Sequence, residues 1–165
     1  MGNAITYRMA AGVPGAVNRV EHATITPEVI DSGTPPTVYG AFVKVVTGKI
    51  QPLASGDAGT VAKGLLVRPF PTSGNGTDGL GTSTPPTSGI CDVLRRGYIM
   101  ATLKLGTAAK DGQVYAVTTA GGSVVVGDIV TSASPAGGGT GVAVTNAFFT
   151  GPADAGGIVE IAYNI

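Results

Sequence analysis

The chain has 165 residues, only 12% of them charged, and its ten basic and ten acidic residues cancel to a formal net charge of zero. A soluble domain usually has about twice that charged fraction (~25%), and binding to nucleic acid needs a basic surface that displaces counterions from phosphates. Composition therefore excludes nucleic acid as a partner. A single cysteine, Cys91, excludes a disulfide within the chain. A membrane span is predicted by a run of about 18 apolar residues, and the chain contains no such run, so no membrane partner is expected.

The residue types on which most catalytic and metal sites depend are scarce. His22 is the only histidine, and tryptophan is absent. No cluster of His, Cys or Asp has the spacing of a metal site, and Cys91 has no base near it in the sequence. We therefore predict a protein that is not an enzyme, with no catalytic residue, no cofactor and no metal. A pair of carboxylates from distant strands, as in a hydrolase, is the least favoured alternative.

Residues 1–16 predict an extended N-terminal arm. The arm has apolar anchors at Ile5, Tyr7, Met9 and Val13, a cation at Arg8, and no evident fold of its own. A segment of this kind is expected to become ordered against a partner. It lacks the continuous apolar core of a signal peptide, so we expect the chain to fold in the cytoplasm.

Residues 17–165 predict one β-rich domain, because apolar and polar residues alternate with period 2 and Gly-containing turns follow. Such segments number roughly eight to ten, which is typical of a small β-sandwich or β-barrel and makes the expected fold all-β. A strand is also expected over residues 20–25, with Glu21 and His22 on opposite faces. The clearest alternation occurs in residues 41–46, 97–105 and 158–163.

Two long polar or glycine-rich segments, residues 71–89 and 132–141, predict loops within this domain. Long loops in compact domains are often functional. The first contains Gly74, Gly76 and Gly79 in the Gly-x-Gly-x-x-Gly spacing of dinucleotide sites. That motif works only at a strand-to-helix turn, and the Pro85-Pro86 pair that follows is incompatible with such a helix. A surface loop is therefore the preferred interpretation.

Paired arginines end the apolar segment of residues 90–94. Arg95 and Arg96 are either two solvated charges at a strand end or a pair that binds a partner's carboxylates, because guanidinium groups bind carboxylates bidentately. Arg8 and Arg19, in or near the arm, are open to the same two interpretations.

Several segments resemble the structural cement, or head decoration, proteins of tailed bacteriophages. The resemblance covers most of the chain and implies a small β-rich, non-enzymatic protein. It also implies binding to the outside of a capsid, often as dimers or trimers that bridge major capsid protein subunits. The segments are residues 1–8, 15–19, 64–71, 83–89, 92–98 and 110–115.

The expected function is therefore stabilisation of a phage head by a decoration protein on the capsid exterior, synthesised in the host cytoplasm. The expected partners are the major capsid protein and further copies of the chain, as a dimer or trimer. The alternative is another virion surface module, of tail or fibre type, that binds carbohydrate. Sugar sites usually stack rings on aromatic residues, and this chain has only five Tyr and four Phe, so we rank it second. The candidate interface residues are Ile5, Tyr7, Arg8, Met9, Val13, Arg19, Arg68, Arg95 and Arg96.

Overall fold

A computed structural model of the chain describes residues 12–69 and 84–165. These residues form nine strands and two short 3-10 turns, Val20–His22 and Gly59–Val61, which confirms the all-β prediction. The strands are β1 (Thr24–Val29), β2 (Phe42–Val46), β3 (Lys49–Pro52), β4 (Gly64–Leu66), β5 (Ile90–Leu105), β6 (Gln113–Thr119), β7 (Ile129–Val130), β8 (Thr140–Phe149) and β9 (Ile158–Tyr163).

Five strands close into a barrel in the order β5-β7-β6-β8-β9, with β9 returning to β5. All of these pairings are antiparallel except the one between β5 and β7. Val159, Ile161 and Tyr163 of β9 are buried in the barrel core, as the alternation of residues 158–163 predicts.

A second sheet shares the long strand β5 with the barrel. Its order is β1-β5-β4-β2-β3, and it uses the first half of β5, whereas the barrel uses the half that begins at Gly97. The sheet curls until Ile30, just after β1, makes an isolated bridge to Ile50 of β3. The β2–β3 hairpin turns through Thr47 and Gly48 at φ 49° and 77°, the two left-handed residues of a type I′ turn.

The first two residues of β2 are buried on opposite faces, although residues 41–46 alternate as a half-exposed strand would. Phe42 packs in the main core cluster with Leu65 and Leu94, whereas Val43 packs in a second cluster with Ile50. Neighbouring residues of a strand point to opposite faces. The strand therefore separates two cores, which its own sequence does not reveal.

The prediction of a strand over residues 20–25 is wrong for the first half of that segment. Val20–His22 forms a 3-10 turn, in which the Ala23 amide donates to the Val20 carbonyl over 3.0 Å, and β1 begins only at Thr24. Glu21 Oε1 and His22 Nε2 consequently lie 3.9 Å apart on the exposed side of the turn, not on opposite faces.

The two predicted loops differ in how far the structure describes them. Residues 71–83 of the first lie outside the described residues, and residues 84–89 lead into β5 without forming a strand. In the second loop, residues 132–139 form turns and bends, and its last two residues begin β8.

The single cysteine is buried in the second core cluster, where Cys91 Sγ lies 3.8 Å from the Val67 carbonyl oxygen. Burial raises the pKa of the Cys91 thiol, and the thiolate is the reactive form. We expect Ellman's reagent to react with native protein at least about 100-fold more slowly than with urea-unfolded protein, because reaction requires local opening. Ile90→Cys, at the exposed neighbouring position, is the control, and its added thiol should react fast in native protein. Equal rates for Cys91 in both states would contradict its burial.

Candidate functional site

The nine candidate interface residues fall into three groups. Ile5, Tyr7, Arg8 and Met9 lie outside the described residues. The structure brings Val13, Arg19 and Arg68 to one region, where the N-terminal segment meets β5. Arg95 and Arg96 lie on the second sheet.

Residues 12–19, here called the arm root, are fixed to the domain by backbone hydrogen bonds. The Ala16 amide donates to the Val13 carbonyl over 3.0 Å and closes a turn through Pro14 and Gly15. Proline at the second position and a glycine at φ 84° at the third are the residues that a type II turn prefers. The Gly15 amide then donates to the Met100 carbonyl over 2.8 Å.

The arm root lies between β5 and the segment that follows β4. The Met100 amide donates to the Ala16 carbonyl over 2.9 Å, and the Arg68 amide donates to the Gly15 carbonyl over 2.8 Å. The Arg68 guanidinium carbon lies 5.7 Å from the centroid of the Tyr39 ring, within the range of a cation–π contact. Arg68 thus holds the arm root through its backbone while its side chain faces Tyr39.

One carboxylate, that of Glu160 on β9, binds the end of the arm root. It accepts hydrogen bonds from Asn18 Nδ2 at 3.0 Å, Arg19 Nη2 at 2.9 Å and Thr150 Oγ1 at 2.7 Å. The Arg19 guanidinium also lies 4.0 Å above the centroid of the Tyr98 ring. The Glu160 side chain is 15% exposed, against 46% for Arg19, so the acceptor is the more desolvated partner of this ion pair.

Glu160→Gln is expected to lower the free energy of unfolding by about 1 kcal/mol. Hydrogen bonds to a charged acceptor are stronger than neutral ones, but exposure of Arg19 limits what its ion pair contributes. Urea denaturation measures the change. Glu21→Gln is the matched control, because Glu21 is exposed and its ion-pair partner among the described residues is His22 at 3.9 Å, and it should leave the midpoint unchanged. Equal midpoints for the two variants would show that Glu160 does not hold the arm root.

An aromatic slot lies on the outer barrel wall beside the arm root. Tyr98, Ala162 and Phe148 are register partners on three adjacent strands, so their side chains form one row. The small side chain of Ala162 lies between the two aromatic rings and forms the floor. Lys110 and Ile165 are also among the residues that line this groove of about 510 Å³.

Arg95 is occupied within its own domain. Its Nε donates to Thr26 Oγ1 at 3.0 Å, its Nη1 donates to the Lys63 carbonyl at 2.8 Å, and its Nη2 pairs with Glu28. Arg96 is exposed opposite Thr24. The structure therefore does not bring the two guanidinium groups together to bind one carboxylate.

Within residues 12–69 and 84–165, no group of three or more His, Cys, Asp or Glu side chains is placed to hold a metal ion. Over the same ranges, no helix is long and apolar enough to cross a membrane. The arm root and the aromatic slot can therefore bind a partner through aromatic rings, apolar side chains and the charged side chains beside them.

Sequence reasoning missed Tyr98, Phe148, Ala162 and Glu160. The available signal was that Tyr98 and Ala162 occupy the outward positions of strands whose inward positions are apolar. The sequence does not predict the strand register that pairs these two positions.

Comparison with known proteins gives one family and one fold. The family model described as "XM1 gp53 minor capsid protein" matches residues 2–163. No curated protein sequence matches the chain. Among solved structures, a chain in "The capsid of Myoviridae Phage XM1" superposes with a TM-score of 0.71 at 20% sequence identity, covering 99% of this chain and 97% of that one. At this identity the likeness shows a shared fold.

Proposed function

Because the chain belongs to the family of the XM1 gp53 minor capsid protein, it is a capsid-associated protein of a bacteriophage, and we propose that it is a decoration, or cement, protein. In this proposal it binds the exterior of the head, joins neighbouring major capsid protein subunits, and performs no catalysis. Its synthesis takes place in the host cytoplasm, before it joins the head.

The observation that carries the proposal is the fixed arm root. Gly15 and Ala16 are hydrogen-bonded to Met100, and Glu160 binds Asn18 and Arg19. The arm that precedes this root has three apolar anchors at alternate positions, Ile5, Tyr7 and Met9. A compact domain with a firmly attached arm suits a clip, because tension on the arm passes directly into β5 and β9.

The energetics of such a clip are those of many modest contacts. An interface of about 800 Å² per partner, a little over half of it apolar, gives a gross burial term of about 20 kcal/mol over the two surfaces. Loss of translational and rotational freedom offsets much of this. Attachment to two subunits at once raises the effective concentration for each contact, so the bound protein dissociates slowly. Self-association into dimers or trimers adds to the same effect.

The test is co-sedimentation of the purified protein with heads that lack it. We expect saturable binding at a fixed ratio to the major capsid protein, and a higher temperature of head rupture once binding is complete. A mass measurement of the free protein determines whether it is a monomer, dimer or trimer. Heads that bind none of the protein, or that bind it only after rupture, would contradict exterior decoration.

A further inference from the structure

The aromatic slot has the composition of a binding site, not of an ordinary barrel wall. Phe148 is 40% exposed and Ile165 56% exposed, and Arg19 stacks on Tyr98 at one side. Aromatic residues and arginine are the types enriched at the centres of protein interfaces. Lys110, Asp111 and Thr150 line the groove beside the aromatic side chains, and a mixture of apolar and polar lining is usual in protein interfaces.

The turn in the arm root reverses the chain beside this slot. Residues 16–18 run antiparallel to β5, since Ala16 pairs with Met100 and Asn18 with Tyr98. The turn at Val13–Ala16 reverses the chain, so Gly12 enters it in the direction opposite to that of residues 16–18. Gly12 already lies on the outer face, because a Cβ built there would be 2.8 Å from Met100 Cγ.

The distances fit an occupant from the same molecule. Tyr98 and Met100 lie on one face of β5, two residues and therefore about 7 Å apart. The slot spans three adjacent strands, or about 10 Å from the Tyr98 strand to the Phe148 strand. Eleven residues in extended conformation reach up to about 36 Å, more than enough to cross it.

The sequence of the arm provides a matching face. In an extended chain Ile5, Tyr7 and Met9 point to one side, and Thr6 and Arg8 to the other. We propose that residues 1–11 dock across the aromatic slot of their own molecule, with the Ile5, Tyr7 and Met9 face on Tyr98, Ala162 and Phe148. This docking belongs to the free protein and does not rest on the proposed function. It keeps two apolar surfaces out of water before the protein meets a partner.

A single tryptophan tests the proposal, because the natural chain contains none. Tyr7→Trp places the reporter in the arm, and Ala162→Lys then fills the floor of the slot. We expect this second change to red-shift the emission maximum and to raise acrylamide quenching about twofold or more, since an aromatic that leaves an apolar slot becomes open to water. Thr145→Lys, at an exposed position of β8 outside the slot, is the matched control and should change neither signal.

Two other results would overturn docking of the arm within one molecule. A tryptophan already as quenchable as the free amino acid, or one unaffected by Ala162→Lys, overturns the proposal. A signal that depends on protein concentration shows that a second copy's arm fills the slot, which also overturns docking within one molecule. If Ala162→Lys fails to fold, Phe148→Ser repeats the test at an exposed wall of the slot.

Discussion

Deletion of residues 1–11 is expected to weaken binding to undecorated heads by about 100-fold or more. Ile5, Tyr7 and Met9 are lost together, and burial of each is worth on the order of 1 kcal/mol or more. At 1.4 kcal/mol per factor of ten, three such anchors account for this loss. The domain should remain folded, because the bonds of Gly15 to Met100 and of Arg19 to Glu160 are made by residues that remain, and its free energy of unfolding should fall only by the contacts that the arm makes in the aromatic slot.

Titration by co-sedimentation measures this loss, and urea denaturation checks the fold. A triple variant, Ile5→Ser with Tyr7→Ser and Met9→Ser, should weaken binding as much as the deletion does. A second variant on the other face, Thr6→Ser, should bind like the natural chain. Full binding by the deleted chain would show that the arm is not the anchor, whereas failure of the full-length chain to bind would contradict decoration itself.

Local alternation predicts strands well and predicts their faces only where no bulge intervenes. In β8, Val144 is buried and strict alternation would bury Phe148 as well. Asn146 has φ 56°, however, and the pairing of β8 with β6 shifts register there. Between Ala143 and Phe148, β8 has three more residues than the stretch of β6 that it pairs with, and this odd number reverses the alternation. Phe149 is therefore buried at 1% exposure and Phe148 faces outward, which creates one wall of the aromatic slot.

The slot and the Glu160 site depend on contacts between residues far apart in the chain. Tyr98 and Phe148 flank Ala162 only because β5 and β8 both pair with β9 in particular registers. Register follows from the packing of the whole barrel and is not contained in the period of any one strand. In its own strand, Glu160 is simply the polar residue expected between Val159 and Ile161.

Replacement of Gly15 by alanine is expected to lower the free energy of unfolding by about 3 kcal/mol. An L-residue at φ 84° costs about 1–2 kcal/mol. The new Cβ would also lie 2.7 Å from Tyr39 Cβ and 2.9 Å from the Arg68 amide nitrogen, and crowding of this kind costs about 1–3 kcal/mol. Because the Arg68 nitrogen is backbone, the crowding is relieved only by moving the arm root away from it.

Gly48→Ala separates the two contributions. Gly48 has a similar φ of 77°, but a Cβ there meets no atom within 4 Å, so only the conformational cost of about 1–2 kcal/mol remains. The excess loss in Gly15→Ala therefore measures how tightly Tyr39 and Arg68 enclose the arm root. Displacement of the root should also expose the peptide bond after Arg19 to trypsin under native conditions in Gly15→Ala and not in Gly48→Ala. Equal losses of stability and equal cleavage in the two variants would mean that Gly15 does not fix the direction in which the arm leaves the domain.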